Sequence, residues 1–309
     1  MQRPQALRRG AKLTVLSPAS AAKRELVEMG LAQLHELGFR ASLGAHALDS
    51  GPLYYAGSAR DRAADLHAAF ADPEVDGILC TRGGWGCAEL LPMLDPELIR
   101  ACPKVFVGYS DITSLQTWFL ESAGLVTFYG PMVAADFARE DGVDLLSWKR
   151  CLLEAAGWSL GPEAGLHTLR SGVAEGPLWG GCLSILAESL GTPYAPGQRR
   201  GVLFLEDIGT KPYQWDRMLV HLRHAGLLEE VTGIVFGDMR QCVTPEQMAL
   251  LEAALLHSLR DFAGPIAIGL RCGHVDGANL TLPLGVAVRL DCSDPPDPRV
   301  HFLDGAVTL

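Results

Sequence analysis

Between Leu13 and Tyr129 short β-forming runs alternate with stretches of helical periodicity, and this alternation restricts the fold more than any other feature of the chain. Leu13–Leu16 is an apolar run ending in Ser-Pro, and Ala21 to Leu37 repeats Leu26, Met29, Leu34 and Leu37 on one helical face before Gly38. Phe39 to Leu43 reads as the next strand, and Ser58 with Asp61 resembles a capping box for a helix through Phe70. Val75–Cys80 is a third strand, followed by the loop Thr81-Arg-Gly-Gly-Trp-Gly86 and a helical pattern through Leu91; Lys104–Gly108 is a fourth, and Leu125–Tyr129 adds another. Strands separated by helices require a parallel sheet with right-handed crossovers, and such sheets gather ligands at the carboxyl ends of their strands.

One strand end stands out. Val105, Phe106 and Val107 run into Gly108-Tyr-Ser110, after which Ile112, Leu115, Trp118 and Phe119 share a helical face that ends at Gly124. A serine at a strand-to-helix turn has its hydroxyl lifted clear of the sheet, beside the unpaired amides of the helix's first turn, which suits acyl transfer. Ser110 is therefore the candidate nucleophile. The stretch departs from G-x-S-x-G because Ile112 stands at the second glycine, and a serine in this place also serves as an ordinary helix N-cap.

Positions 156 to 176 lose the period, with glycines at 157, 161, 165, 172 and 176. A linker is expected there, between an N-terminal domain over 1–155 and a C-terminal domain over 177–309. The second half carries paired glycines at 180 and 181 before a leucine-rich helix, a strand over Gly201–Leu205 with Glu206-Asp207 at its end, and a helix opened by Pro212. Strands over Val231–Phe236 and Pro265–Leu270 follow, with a helix from Thr244-Pro245 between them and the turn Arg271-Cys-Gly-His-Val-Asp-Gly277 after the second. Three β-runs close the chain: Leu280–Leu282, Val286–Leu290 and Val300–Leu303. The expected fold class is α/β, a Rossmann-like parallel-sheet domain carrying the nucleophile turn plus a β-rich α/β domain.

A net charge of -10 argues against nucleic-acid partners and anionic membrane surfaces, leaving a small molecule or peptide as the natural substrate. The eight cysteines, none spaced as C-x-x-C, read as reduced thiols. No apolar run of signal-peptide length follows the arginines of Met1–Gly10, so the expected location is the cytoplasm.

A serine needs a base to become nucleophilic, usually a histidine held by a carboxylate. His35, His67, His221, His224 and His257 fall within helical patterns, His46 and His167 in bare loops, and His301 in the terminal strand. His274 differs, because it follows an apolar strand in a turn bounded by Gly273 and Gly277. Glu206 closes the strand Val-Leu-Phe-Leu and is the candidate for orienting the histidine, with Asp207 assigned to capping the next turn. The Arg82–Gly86 loop could bring one oxyanion donor while the amide of Asp111 supplies the other, and Arg82 could pair with a substrate carboxylate; a tight turn with a surface arginine explains the same composition. The spacing matches no dinucleotide fingerprint, and with no H-E-x-x-H, C-x-x-C or dense carboxylate cluster neither metal nor cofactor is expected.

With these residues assembled the chain resembles the LD-carboxypeptidases, or muramoyltetrapeptide carboxypeptidases, over nearly its whole length. The blocks that carry the resemblance are Thr81-Arg-Gly-Gly-Trp-Gly86, Val107-Gly-Tyr-Ser-Asp-Ile-Thr113, Tyr129-Gly-Pro-Met132, Leu178-Trp-Gly-Gly-Cys-Leu183, Leu205-Glu-Asp-Ile208 and Cys272-Gly-His-Val275. The resemblance implies Ser110 as nucleophile on the N-terminal domain, Glu206 and His274 as acid and histidine on the C-terminal one, and oxyanion amides at Asp111 and Gly84. It also implies a metal-independent, cytoplasmic, homodimeric enzyme that releases D-alanine from murein tetrapeptides during wall recycling. A related branch cleaves peptidyl or aminoacyl adenylates with the same three residues. An aromatic platform for adenine would distinguish it, and Trp179 is the candidate substrate contact beside Arg82. A reading from another class is a non-catalytic two-lobe protein that binds a small ligand.

Overall fold

In a computed structural model, which describes residues 1–309, the chain divides into two units. The first comprises Met1–Ala156, Gly277–Gly285 and Gly305–Leu309, the second Gly157–Asp276 and Val286–Asp304.

In the first unit the chain runs β1 (Lys12–Leu16), α1 (Arg24–Glu36), β2 (Arg40–Leu43), α2 (Ala59–Ala71), β3 (Gly77–Cys80), α3 (Pro96–Ala101), β4 (Val105–Gly108), α4 (Thr113–Trp118), β5 (Thr127–Tyr129) and α5 (Leu145–Leu152). Ser58 caps α2, accepting the Asp61 amide at 3.1 Å, while its own hydroxyl donates to the Asp61 carboxylate at 2.6 Å in place of the reciprocal backbone bond of the expected capping box. Five strands are parallel, in the order β5-β4-β3-β1-β2, and β12 (Leu282–Leu284) joins antiparallel at the β5 edge, placing Leu282 opposite Tyr129. The order reverses between β1 and β3, so the loops after these two strands border the crevice where ligands bind in open α/β sheets. Ser17–Ser20 and Thr81–Gly86 are those loops, and β4 delivers Ser110 one strand further on. The helical pattern after Gly86 is broken into two short 3-10 turns, Cys87–Glu89 and Leu91–Met93, because Pro92 has no N–H to continue an α-helix.

Beneath α4 the rings of Phe106 and Phe119 meet edge to face at 4.8 Å, and Phe70 reaches Phe119 at 5.4 Å. All three are fully buried, each contributing roughly 1.5–3 kcal/mol through burial. This cluster seats the helix that follows the nucleophile turn. A π-turn, Phe119–Ala123, then ends the helix at Gly124.

The second unit holds eight strands in the order β6-β14-β13-β8-β9-β10-β11-β7. They are β6 (Trp158–Leu160), β7 (His167–Arg170), β8 (Val173–Cys182), β9 (Gly201–Glu206), β10 (Val231–Gly237), β11 (Ile266–Leu270), β13 (Ala287–Asp291) and β14 (Arg299–Phe302), with helices α6 (Leu183–Ser189), α7 (Pro212–His224) and α8 (Met248–Ser258). The central β8 to β11 are parallel and the flanks antiparallel. The mixed α/β class expected from the sequence is the one observed.

Two expectations change. Positions 156–176 are not a linker, because β6, β7 and the first residues of β8 lie within them as members of the second sheet. Their glycines and short, half-exposed edge positions hide the period that buried strands display. The β-run predicted at Leu280–Leu282 is displaced to Leu282–Leu284 and belongs to the first unit's sheet, so that unit is not continuous in sequence.

Candidate active site

In the first unit the strand β4 stops at Gly108, and Ser110 turns the chain with φ +65°, one of three non-glycine residues at positive φ. An L-residue held there costs roughly 1 kcal/mol or more, so surrounding contacts must impose it. Tyr129 does so from the neighbouring strand, its hydroxyl accepting the Ser110 amide at 3.1 Å. Buried Gln116 donates to Gly108 O at 3.0 Å and Phe128 O at 2.9 Å, tying α4 to the ends of both strands. Ile112, at the place of the missing glycine, packs its branches over Gly108, where a Cβ would meet them at 2.9 Å. Ser110 is therefore a strained turn residue and not an N-cap: it opens a short 3-10 turn, Ser110–Ile112, capped by Tyr109, and Ile112 stands at the N-cap of α4. Tyr129 and Gln116 escape sequence reasoning because their roles depend on strand adjacency.

The glycine loop after β3 meets this turn. A Cβ on Gly83 would lie 2.8 Å from Ser110 Cβ, 3.0 Å from its Oγ and 3.3 Å from the Asp111 amide nitrogen, so only glycine leaves that space open. Gly84, with φ +114°, faces Ser20 instead, whose Oγ a Cβ would approach to 2.3 Å. Ser20 Oγ accepts the Trp85 amide at 3.1 Å, and buried Arg62 donates to the carbonyls of Pro18 at 2.7 Å and Gly86 at 2.8 Å. Asp111, fully buried, accepts the Cys87 amide at 2.9 Å. Arg82 is exposed, and its Nε donates to Gly83 O at 3.3 Å. Burial, and then the charge of Asp111, push the Cys87 thiol well up, which keeps it a protonated packing residue.

In the second unit Glu206 ends β9, and His274 sits in the turn after β11, with β10 between the two strands. The acid and the imidazole meet across the end of β10 because that strand finishes at Gly237, where a Cβ would lie 2.6 Å from Glu206 Cβ. His274 Nδ1 lies 2.8 Å from Glu206 Oε2, and the His274 amide donates to the same oxygen at 3.0 Å. A carboxylate acceptor at Nδ1 holds the proton there and leaves Nε2 as the basic nitrogen. Glu206 has no exposed surface, and these bonds offset the cost of burying it. Asp207 accepts the Ser184 amide at 2.9 Å, in the first turn of α6, and the Ile208 amide at 2.8 Å. Burial first, and the charge of Glu206 second, push its carboxyl up.

Of the expected residues, the structure brings Glu206 and His274 together, and separately brings Ser110, Asp111 and the Arg82–Gly84 loop together. Trp179 does not join either group. At 1% exposure it lies in β8 opposite Leu203, and an indole closed off within the sheet offers no face to a ligand, which corrects its expected role as a substrate contact. All eight cysteines are free thiols.

Residues 13–130 match the LD-carboxypeptidase N-terminal domain and residues 175–290 the LD-carboxypeptidase C-terminal domain. A Bacillus subtilis protein named probable murein peptide carboxypeptidase is 37% identical, the match covering 94% of this chain and 92% of that one. The chain belongs to the LD-carboxypeptidase family. The murein tetrapeptide carboxypeptidase of Pseudomonas aeruginosa is 30% identical over 91% of this chain and 93% of its own length. Among solved structures, a muramoyltetrapeptide carboxypeptidase from Oxalobacter formigenes superposes with a TM-score of 0.84 at 27% identity, covering 96% of this chain and all of that one. The microcin C7 self-immunity protein of Escherichia coli is 26% identical over 89% of this chain and 88% of its own length. As an LD-carboxypeptidase family member the chain is a peptidase by kinship; the first matched segment lies in the first unit and the second lies mostly in the second unit. No helix is long and apolar enough to cross a membrane.

Proposed function

We propose that this protein is a serine LD-carboxypeptidase that removes the terminal D-alanine from murein tetrapeptides. The observation that carries the reading is the 2.8 Å bond between His274 Nδ1 and the buried Glu206 carboxylate, which fixes an imidazole with a basic Nε2 at a strand end. In this reading Nε2 takes the Ser110 Oγ proton as the oxygen attacks the amide carbonyl next to D-alanine. The tetrahedral oxyanion is met by the amide of Asp111 and by that of Gly84, which follows directly on the glycine packed against Ser110. His274 then returns the proton to the departing D-alanine nitrogen, leaving an acyl ester on Ser110. Water, activated by the same imidazole, releases the tripeptide acid. Arg82, exposed at the loop, receives the carboxylate of the leaving residue. Cytoplasmic wall recycling and homodimer formation belong to this reading and rest on the family resemblance.

The similarity to the microcin self-immunity protein supports a second reading, hydrolysis of a peptidyl adenylate by the same three residues. Purified protein is therefore assayed for D-alanine release from murein tetrapeptide and for cleavage of a peptidyl adenylate. Ser110→Ala and Glu206→Gln are each expected to lower tetrapeptide turnover by about a thousandfold or more. A wild-type rate in Ser110→Ala removes the nucleophile assignment. Adenylate cleavage without D-alanine release transfers the protein to the second reading, and inactivity of folded wild-type protein on both substrates points to a ligand-binding role.

A further inference from the structure

The Asp111 carboxylate lies beside the site without a part in the reaction just described. It is fully buried in the turn that carries Ser110, and its Oδ2 accepts the Cys87 amide at 2.9 Å, across 24 residues of sequence. Cys87 ends the loop whose Gly83 packs on Ser110. That loop is held elsewhere by groups from outside the nucleophile turn: Thr81 Oγ1 by Ser17 Oγ at 2.7 Å, Trp85 by Ser20, and Gly86 by Arg62. The bond from Asp111 runs from the nucleophile turn itself to the loop. Glycines 83, 84 and 86 give the loop little backbone preference of its own, so its position over Ser110 depends on such ties.

We propose that the Asp111 carboxylate is a positioning residue, which fixes the Gly83–Cys87 loop against the Ser110 turn so that the amides on the two segments stay in register around the developing oxyanion. This rests on Ser110 being the nucleophile. The same residue then supplies an amide to the reaction and, through its side chain, sets the distance to the opposing donor. Donors aimed at an oxyanion act in the transition state more than in the bound substrate, so loosening the loop lowers kcat and leaves KM nearly unchanged.

The test compares wild type, Asp111→Ser, Asp111→Asn and Ser110→Ala in D-alanine release from murein tetrapeptide, with kcat and KM determined separately. Amide hydrogen exchange of the 83–87 segment is followed in each. Serine is too short to reach the Cys87 amide, whereas asparagine keeps an oxygen acceptor in place. Asp111→Ser is expected to lower kcat by roughly 10- to 100-fold with KM within about twofold, and to speed exchange at Cys87. Asp111→Asn is expected to recover most of the kcat lost in Asp111→Ser and to bring exchange at Cys87 back toward the wild-type rate. Should Asp111→Ser not fold, Asp111→Glu, which displaces the carboxylate by one methylene, takes its place with the same expected loss. A kcat within threefold of wild type in the displaced variant overturns the proposal, as does a loss in Asp111→Asn equal to that in Asp111→Ser, or a KM that rises in step. If wild type releases no D-alanine, the reading of the reaction has failed, and unchanged exchange across residues 83–87 in Asp111→Ser overturns the tie independently.

Discussion

Asp136 shows what burial does to a single carboxyl in the first unit. Its side chain accepts the Met132 amide at 2.8 Å and reaches Asn279 Nδ2 at 3.3 Å and Arg139 at 3.4 Å, with Tyr109, the residue before Ser110, as a further partner. Burial nevertheless pushes it up to about 6, against the pull of these donors. The folded protein therefore keeps this proton between about pH 4 and pH 6, where the unfolded chain releases it, so stability falls as pH rises through that window. The loss from this group amounts to about 3 kcal/mol. Asp136→Asn should flatten that slope, and urea unfolding at pH 4 and pH 6.5 measures it; equal slopes in the two proteins would discard the assignment. Nothing in the sequence marks Asp136, since Asn279 lies 143 residues away and only folding joins them. Arg62 and Gln116 are hidden for the same reason. Ser110, Glu206 and His274 were legible because each sits where an apolar run stops at a turn, a pattern local to a few residues.

The paired Glu206 and His274 of the second unit both follow from strand ends. Gly273 has φ +94°, and a Cβ there would lie 2.5 Å from Glu206 Cδ, so a side chain would strain the backbone and displace the acid together. Gly273→Ala is expected to cost at least about 1–2 kcal/mol of stability and to reduce D-alanine release by well over tenfold, read by chemical unfolding and by the same assay. A variant with wild-type stability and rate would show that the turn adapts without moving Glu206. The buried parallel strands β1, β3, β4, β9, β10 and β11 could be read directly as apolar runs between glycines and helical patterns. β6 and β7 could not, because each is short and half-exposed along most of its length. Trp179 misled for a related reason: an aromatic residue in a block of the family resemblance suggests a platform for a ligand, whereas here it lies buried within β8.

After leaving its first unit the chain returns to it twice, in Gly277–Gly285 and in Gly305–Leu309. Leu282–Leu284 pairs with β5, Asn279 bonds Asp136, and Thr308 pairs with Gln5 near the N-terminus. A fragment ending at residue 156 is complete by length yet lacks β12 and the Asn279 partner, and leaves the edge of β5 bare. It is expected to melt broadly and to be cut by protease far faster than the full chain, while a sharp cooperative melt of 1–156 would show these returning segments to be dispensable. The sequence gives no sign of this arrangement, because a three-residue antiparallel strand at Leu282–Leu284 is indistinguishable by pattern from the strands of its own neighbourhood.

The placement of β12 also orders events in time. Translation proceeds from the N-terminus, so the sheet that bears Ser110 keeps an open edge at β5 until Leu282–Leu284 have been made, long after β5 itself. The part of the molecule that is written first is thus closed by a segment written much later, and until then a nascent chain displays its serine on an unfinished scaffold.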